Sequence, residues 1–137
     1  MLIVRKHTTL LLLLAIALAG CAEPNRRNTE DKLREVKREA LKEASSSANQ
    51  FGECVMVSTL LYRKSSDPPA DIADAIQARC QDKLDAYEMW MATYYSATVE
   101  RGSVESQSLR ARFSKEELSQ RLRQQAIQSI VDDRMKK

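Results

Sequence analysis

The chain is poor both in residues that interrupt helices and in residues that do covalent chemistry. Its 137 residues include three glycines, three prolines, one tryptophan, two phenylalanines and one histidine. With so few helix breakers, and no run that alternates apolar with polar residues, a sheet is not expected. Alanine, leucine, glutamate, lysine, arginine and glutamine dominate instead, and these favour helix. The longest apolar run, Leu10 to Ala19, falls well short of the roughly 20 residues that a bilayer-crossing helix needs. At ~1.5 Å per residue it would cover about half of the hydrocarbon thickness.

That run follows Arg5, Lys6 and His7 and ends in small residues, which is the layout of a secretory signal. Its end, Leu18-Ala19-Gly20-Cys21, resembles the lipobox of bacterial lipoproteins. The resemblance implies that residues 1–20 are a removed signal peptide and that Cys21 becomes an acylated, palmitate-bearing first residue. It also implies a chain held in the cell envelope by its lipid. Ala22 stands where an aspartate would favour the inner membrane, so the expected address is the outer membrane, facing the periplasm.

Removal of the signal leaves 117 of the 137 residues, enough for one modest domain. It also removes His7, the only imidazole. Ser-His-Asp and Cys-His nucleophiles and histidine-containing zinc sites are thereby excluded. Loss of Arg5 and Lys6 from the 22 bases leaves 20 against 19 acids, so no nucleic-acid partner is expected. The balance is uneven along the chain: residues 44–100 hold four bases and eight acids, and residues 101–137 hold nine and five. Opposite signs in two segments suit packing within the chain as well as a partner. We expect no enzyme, no metal and no cofactor.

Residues 21–28, with Pro24, Arg26 and Arg27, read as a lipidated tether, and residues 29–137 as a single helical domain. A first helical region starts near Asn28 or Thr29 and carries Leu33, Val36, Ala40, Ala44, Phe51, Val55 and Ser58 at helical spacing to about Arg63. Ser45-Ser46-Ser47 and Gly52 weaken its middle, where a kink or break is expected. Cys54–Leu61 is apolar almost all round and is expected to be buried. The turn Ser65-Ser66-Asp67-Pro68-Pro69 ends this region, with Asp67 as a cap for the next helix and Pro68 at its first position. Ile72, Ala73, Ile76, Cys80, Leu84, Tyr87, Met91 and Tyr94 form one stripe to about Thr98. After Gly102 and a looser stretch over 103–112, Ser114 with Glu117 reads as a capping box and Phe113 with Leu118 as an apolar staple. The expectation is all-α, a small bundle of three to four helices.

Cys54 and Cys80 lie equally far before and after Asp67, each on the apolar stripe of its helix. In an antiparallel hairpin such positions face one another, and in an oxidising compartment they are expected to form a disulfide. Two buried free thiols and an intermolecular bridge are the alternatives.

Tyr87, Trp90 and Tyr94 share one helical face and are candidates for partner binding, although packing is the commoner use of such a stripe. The carboxylate pairs Asp71/Asp74 and Asp82/Asp85 lie one turn apart, with no apolar setting to raise a pKa. Arg110, Arg112, Lys115, Arg121 and Arg123 are interleaved with acids and read as a solvated face. The expected function is that of a protein-binding adaptor or accessory factor with an envelope protein as partner, anchored to the membrane through Cys21. The alternatives are a module that binds lipid or another small ligand, and an exclusion or inhibitor lipoprotein.

Overall fold

The computed structural model describes residues 23–98 and 103–136, with side chains from Arg27 onward. Residues 1–20, expected as a signal peptide, and also Cys21 and Gly102 lie outside the described residues. Four helices and no strand occur among the described residues: α1 (Glu23–Tyr62), α2 (Pro69–Arg79), α3 (Gln81–Thr98) and α4 (Val104–Met135). The chain divides into two units, Met1–Glu35 and Val36–Lys137.

In the first unit, the described residues are helical from Glu23. The stretch 23–28, expected as an extended tether, is therefore the start of α1. Proline is compatible with a first helical turn, whose N–H groups have no partner within the helix. Asp31 and Arg34 approach to 4.0 Å with both side chains more than three-quarters exposed, a pair that contributes little.

The second unit is a helical bundle. Its main core joins all four helices: Phe51 and Val55 from α1, Ile72, Ala73 and Ile76 from α2, Leu84 from α3, and Leu118, Ala126 and Ile130 from α4. Cys80 joins them between α2 and α3. A second cluster, Ala44, Met91 and Ala111, extends the packing along α1, α3 and α4. The break expected near Ser45-Ser46-Ser47 is absent. Ala40, Ala44, Ser47 and Phe51 are buried in a line with helical spacing, and tertiary packing along that line outweighs the poor propensity of serine.

The second stripe is interrupted where the sequence gives no sign of it. Cys80 closes α2 and shares its N–H between the carbonyls of Ile76 and Gln77, at 3.1 Å each. This one-residue tightening separates α2 from α3 while keeping Leu84 on the buried side. At the preceding turn Pro69, not Pro68, opens α2, and Asp67 does not cap it. The Asp67 carboxylate instead accepts from the Ser65 hydroxyl at 2.6 Å.

The capping box is likewise not used. Ser103, in extended conformation, caps α4 by accepting from the Ser106 N–H at 3.2 Å. The helix runs from Val104 straight through Ser114, whose hydroxyl donates back to the Arg110 carbonyl. Phe113 is 68% exposed and staples nothing. A helix begun eleven residues earlier, with Ala111 buried on its inner face, makes the internal cap redundant.

Cys54 and Cys80 are joined by a disulfide, with Cα atoms 5.9 Å apart. At the far end of the bundle Arg134 donates to the carbonyls of Ser65 and Asp67 at 2.7 and 2.6 Å, so the end of α4 clasps the α1–α2 turn.

Candidate functional site

Part of the basic excess of α4 is directed onto α2 and α3. Lys115 Nζ lies 2.7 Å from Asp85 and 2.7 Å from Glu88, both on α3. Arg112 approaches Glu88, and Arg123 pairs with Asp74 of α2. The Gln77 amide donates to both the carbonyl and the hydroxyl of Ser119. The opposite charges of the two segments thus zip α4 onto α2 and α3.

The hydrogen bond from Arg123 holds the Asp74 carboxyl below its ordinary range, and that from Lys115 does the same for Asp85. Burial works against the Lys115 ammonium, yet its bonds to Asp85 and Glu88 outweigh this and raise its pKa. The carboxyl shifts resolved here, including that of Asp82 beside Lys83, all run downward. That is the reverse of what a general acid working near neutral pH requires. Among the described residues no group of three or more His, Cys, Asp or Glu side chains could hold a metal ion.

The sign of these shifts fixes an acid dependence. A carboxyl with a lowered folded pKa stabilises the fold fully above its ordinary value of 3.8, and this contribution fades as pH falls through the folded value. Thermal stability should therefore drop below about pH 4 as these ties are lost. Lys115→Met should cost ~1 kcal/mol near neutral pH, as expected of a half-exposed ion pair. It should also flatten the acid limb, as read by circular-dichroism melts across pH.

Tyr87, Trp90 and Tyr94 are half-buried and pack against Ala44, Met91 and Ala111. Burial raises the Tyr87 pKa, with Tyr95 and Glu117 adding to the effect. Tyr94 meets Tyr95 edge-on at 5.5 Å, and the Tyr95 hydroxyl bonds to that of Ser114 at 3.1 Å. The three candidate aromatics are brought together, and they sit where the helices meet.

The outward side of α1 is the surprise. Val55, Ser58 and Thr59 are buried, but Met56, Val57, Leu60 and Leu61 are 59%, 52%, 53% and 64% exposed. The expected burial of Cys54–Leu61 thus holds for one side only. At ~100° per residue, Glu53, Met56, Val57, Leu60 and Leu61 fall within about 140° of one another on the helix circumference, and Lys64 follows in the turn that closes α1. This stripe lies opposite the buried line of Phe51, Val55 and Ser58. Glu53 and Lys64 mark its two ends, both exposed and neither with a partner among the described residues.

Beside the stripe an open groove of about 300 Å³ runs between α1 and α4, lined by Gly52, Val55, Met56, Leu60, Leu122 and Ala126 among others. A Cβ placed on Gly52 would meet nothing within 4 Å. Gly52→Ala should therefore stabilise the fold by ~0.5–1 kcal/mol through helix propensity, a gain that a thermal melt would show.

These apolar residues were visible in the sequence as a segment hydrophobic all round. In a bundle this thin, a helix is covered on one side, so an all-round apolar segment necessarily exposes part of itself. Its outward residues form a contiguous apolar surface on α1. No protein-family model, curated protein or solved structure matches the chain.

Proposed function

We propose that this is a lipid-anchored protein of the bacterial cell envelope, acylated at Cys21 and held at the outer membrane, whose helical domain works as a protein-binding adaptor. The observation that carries the binding role is the outward apolar stripe of α1. Four large apolar side chains stand in solvent on a domain that has a well-packed core elsewhere. Half or more of each side chain stands outside the core, a pattern that suits a face covered by another protein. Helix-face recognition uses this geometry, with anchors at spacings of three and four beside an apolar groove. Tethering to a membrane would raise the effective concentration at which the face meets a partner on the same surface. The paired, low-pKa carboxylates and the absence of an imidazole beyond His7 support a non-enzymatic role.

The test is chemical crosslinking of cells that express the tagged full chain, followed by affinity capture. Wild type should retain a protein that the Val57→Asp/Leu60→Asp variant loses, with the helical spectrum and melting temperature of the variant unchanged. Equal capture by both would overturn the assignment of this face. Cys21→Ser should lose fatty-acyl label and leave the membrane fraction, and a fully membrane-bound, labelled variant would overturn the anchoring.

A further inference from the structure

We infer that the outward stripe of α1 pairs with the same stripe of a second copy of this chain, antiparallel and about a two-fold axis. This rests on the reading of that stripe as a protein-binding face, and it names the partner. The argument is self-complementarity. A two-fold contact presents the same patch from both sides, so the patch must match itself when reversed.

Place the axis on the outward side of α1, level with Ser58 and Thr59. Val57 then faces the second copy's Leu61 on one flank of the stripe, and Met56 faces the second copy's Leu60 on the other. The end groups fall into place under the same operation: Glu53 faces the second copy's Lys64, an acid against a base, once at each end. All six residues are exposed, and neither Glu53 nor Lys64 is committed within its own chain among the described residues. The charge order matters. Acid at one end and base at the other is attractive in the antiparallel arrangement, whereas a parallel pair would set acid against acid and base against base. Ser58 and Thr59, at the level of the axis, are buried in their own bundle, so the contact between copies is made by the apolar pairs, with the charges at the rim.

The test uses the full chain, extracted in mild detergent and examined by sedimentation over a range of concentrations. Wild type should be a reversible dimer. Glu53→Lys sets like charges at both ends and should weaken association by about tenfold or more at low salt, with less effect at high salt. Glu53→Lys/Lys64→Glu rebuilds both pairs in reverse and should restore wild-type association. Val57→Asp/Leu60→Asp should be monomeric with its melting transition intact.

A double swap no better than Glu53→Lys alone would overturn the antiparallel register. Wild type that stays monomeric, while the crosslinked capture still depends on Val57 and Leu60, would overturn the second copy as occupant and leave the protein-binding reading standing. If neither dimer nor captured protein depends on those residues, both readings fall.

Discussion

Replacing Phe51 with alanine is expected to destabilise the domain by about 3–5 kcal/mol, the largest loss expected from truncating one of its fully buried side chains. Phe51 is fully buried and is the bulkiest of the side chains with essentially no exposure, ahead of Ile76, Ile130 and Cys80. It belongs to the cluster in which all four helices meet. Truncation removes the apolar area of a ring and leaves a hole that neighbours on three other helices would have to move together to fill. A small domain has roughly 5–15 kcal/mol in total, so the variant should melt far below wild type. It should also unfold at a lower denaturant midpoint with little change in slope. A loss below about 1 kcal/mol would mean that Phe51 is not at the centre of the core.

Removal of the disulfide is expected to cost ~3–4 kcal/mol. The bond spans 26 positions, and in the chain-entropy picture closing a loop of that size restricts the unfolded chain by about this amount. Cys54→Ala/Cys80→Ala should lower the melting temperature by on the order of 15 °C for a domain of this length. The fold should survive, because the same helices are joined independently by the core, by the Lys115 and Arg123 ion pairs and by the Arg134 clasp. Cys80 is completely buried, so a reductant should act slowly on the native protein and quickly once mild denaturant opens the hairpin. Free thiols in the native protein as isolated, or a melting temperature indifferent to the double substitution, would contradict this.

What could be read from the residues, and what could not, divides along physical lines. Features set by local chemistry were legible: the helical composition, the Ser65–Pro69 turn, and the two cysteines set symmetrically about Asp67. The opposed charge of the two segments hinted at internal pairing, and Asp74–Arg123 and Asp85–Lys115 are that pairing. Choices between competing local signals were less legible. Ser114 with Glu117 is a sound capping box by spacing, yet Ser103 captures the helix start first. The serines at 45–47 weaken a helix in isolation, yet Ala44 and Ser47 supply the small side chains of the packed face. The break at Cys80 keeps the periodicity of the stripe, so nothing in the spacing betrays it. The outward apolar stripe is not legible from hydrophobicity alone, because the number of neighbouring helices decides how much of a helix is covered.

That last point bears on function. The candidate aromatics Tyr87, Trp90 and Tyr94 are shared between helices of the bundle, whereas Met56, Val57, Leu60 and Leu61, expected as core, are more than half exposed. The candidate binding residues are thus Met56, Val57, Leu60 and Leu61, with Glu53 and Lys64 at the rim. The chemistry available to them is apolar contact framed by two opposite charges, which suits a helix laid antiparallel across α1.

The most direct test of a protein-binding role for this face is site-specific photo-crosslinking in intact cells that express the full chain. The crosslinker would be placed in turn at Leu60 and at Phe113, an apolar residue of similar exposure on α4. Discrete protein adducts from position 60 and none from position 113 are expected. Adducts from position 113 alone, or from neither position, would contradict the assignment of the outward face of α1 as the surface through which this protein acts.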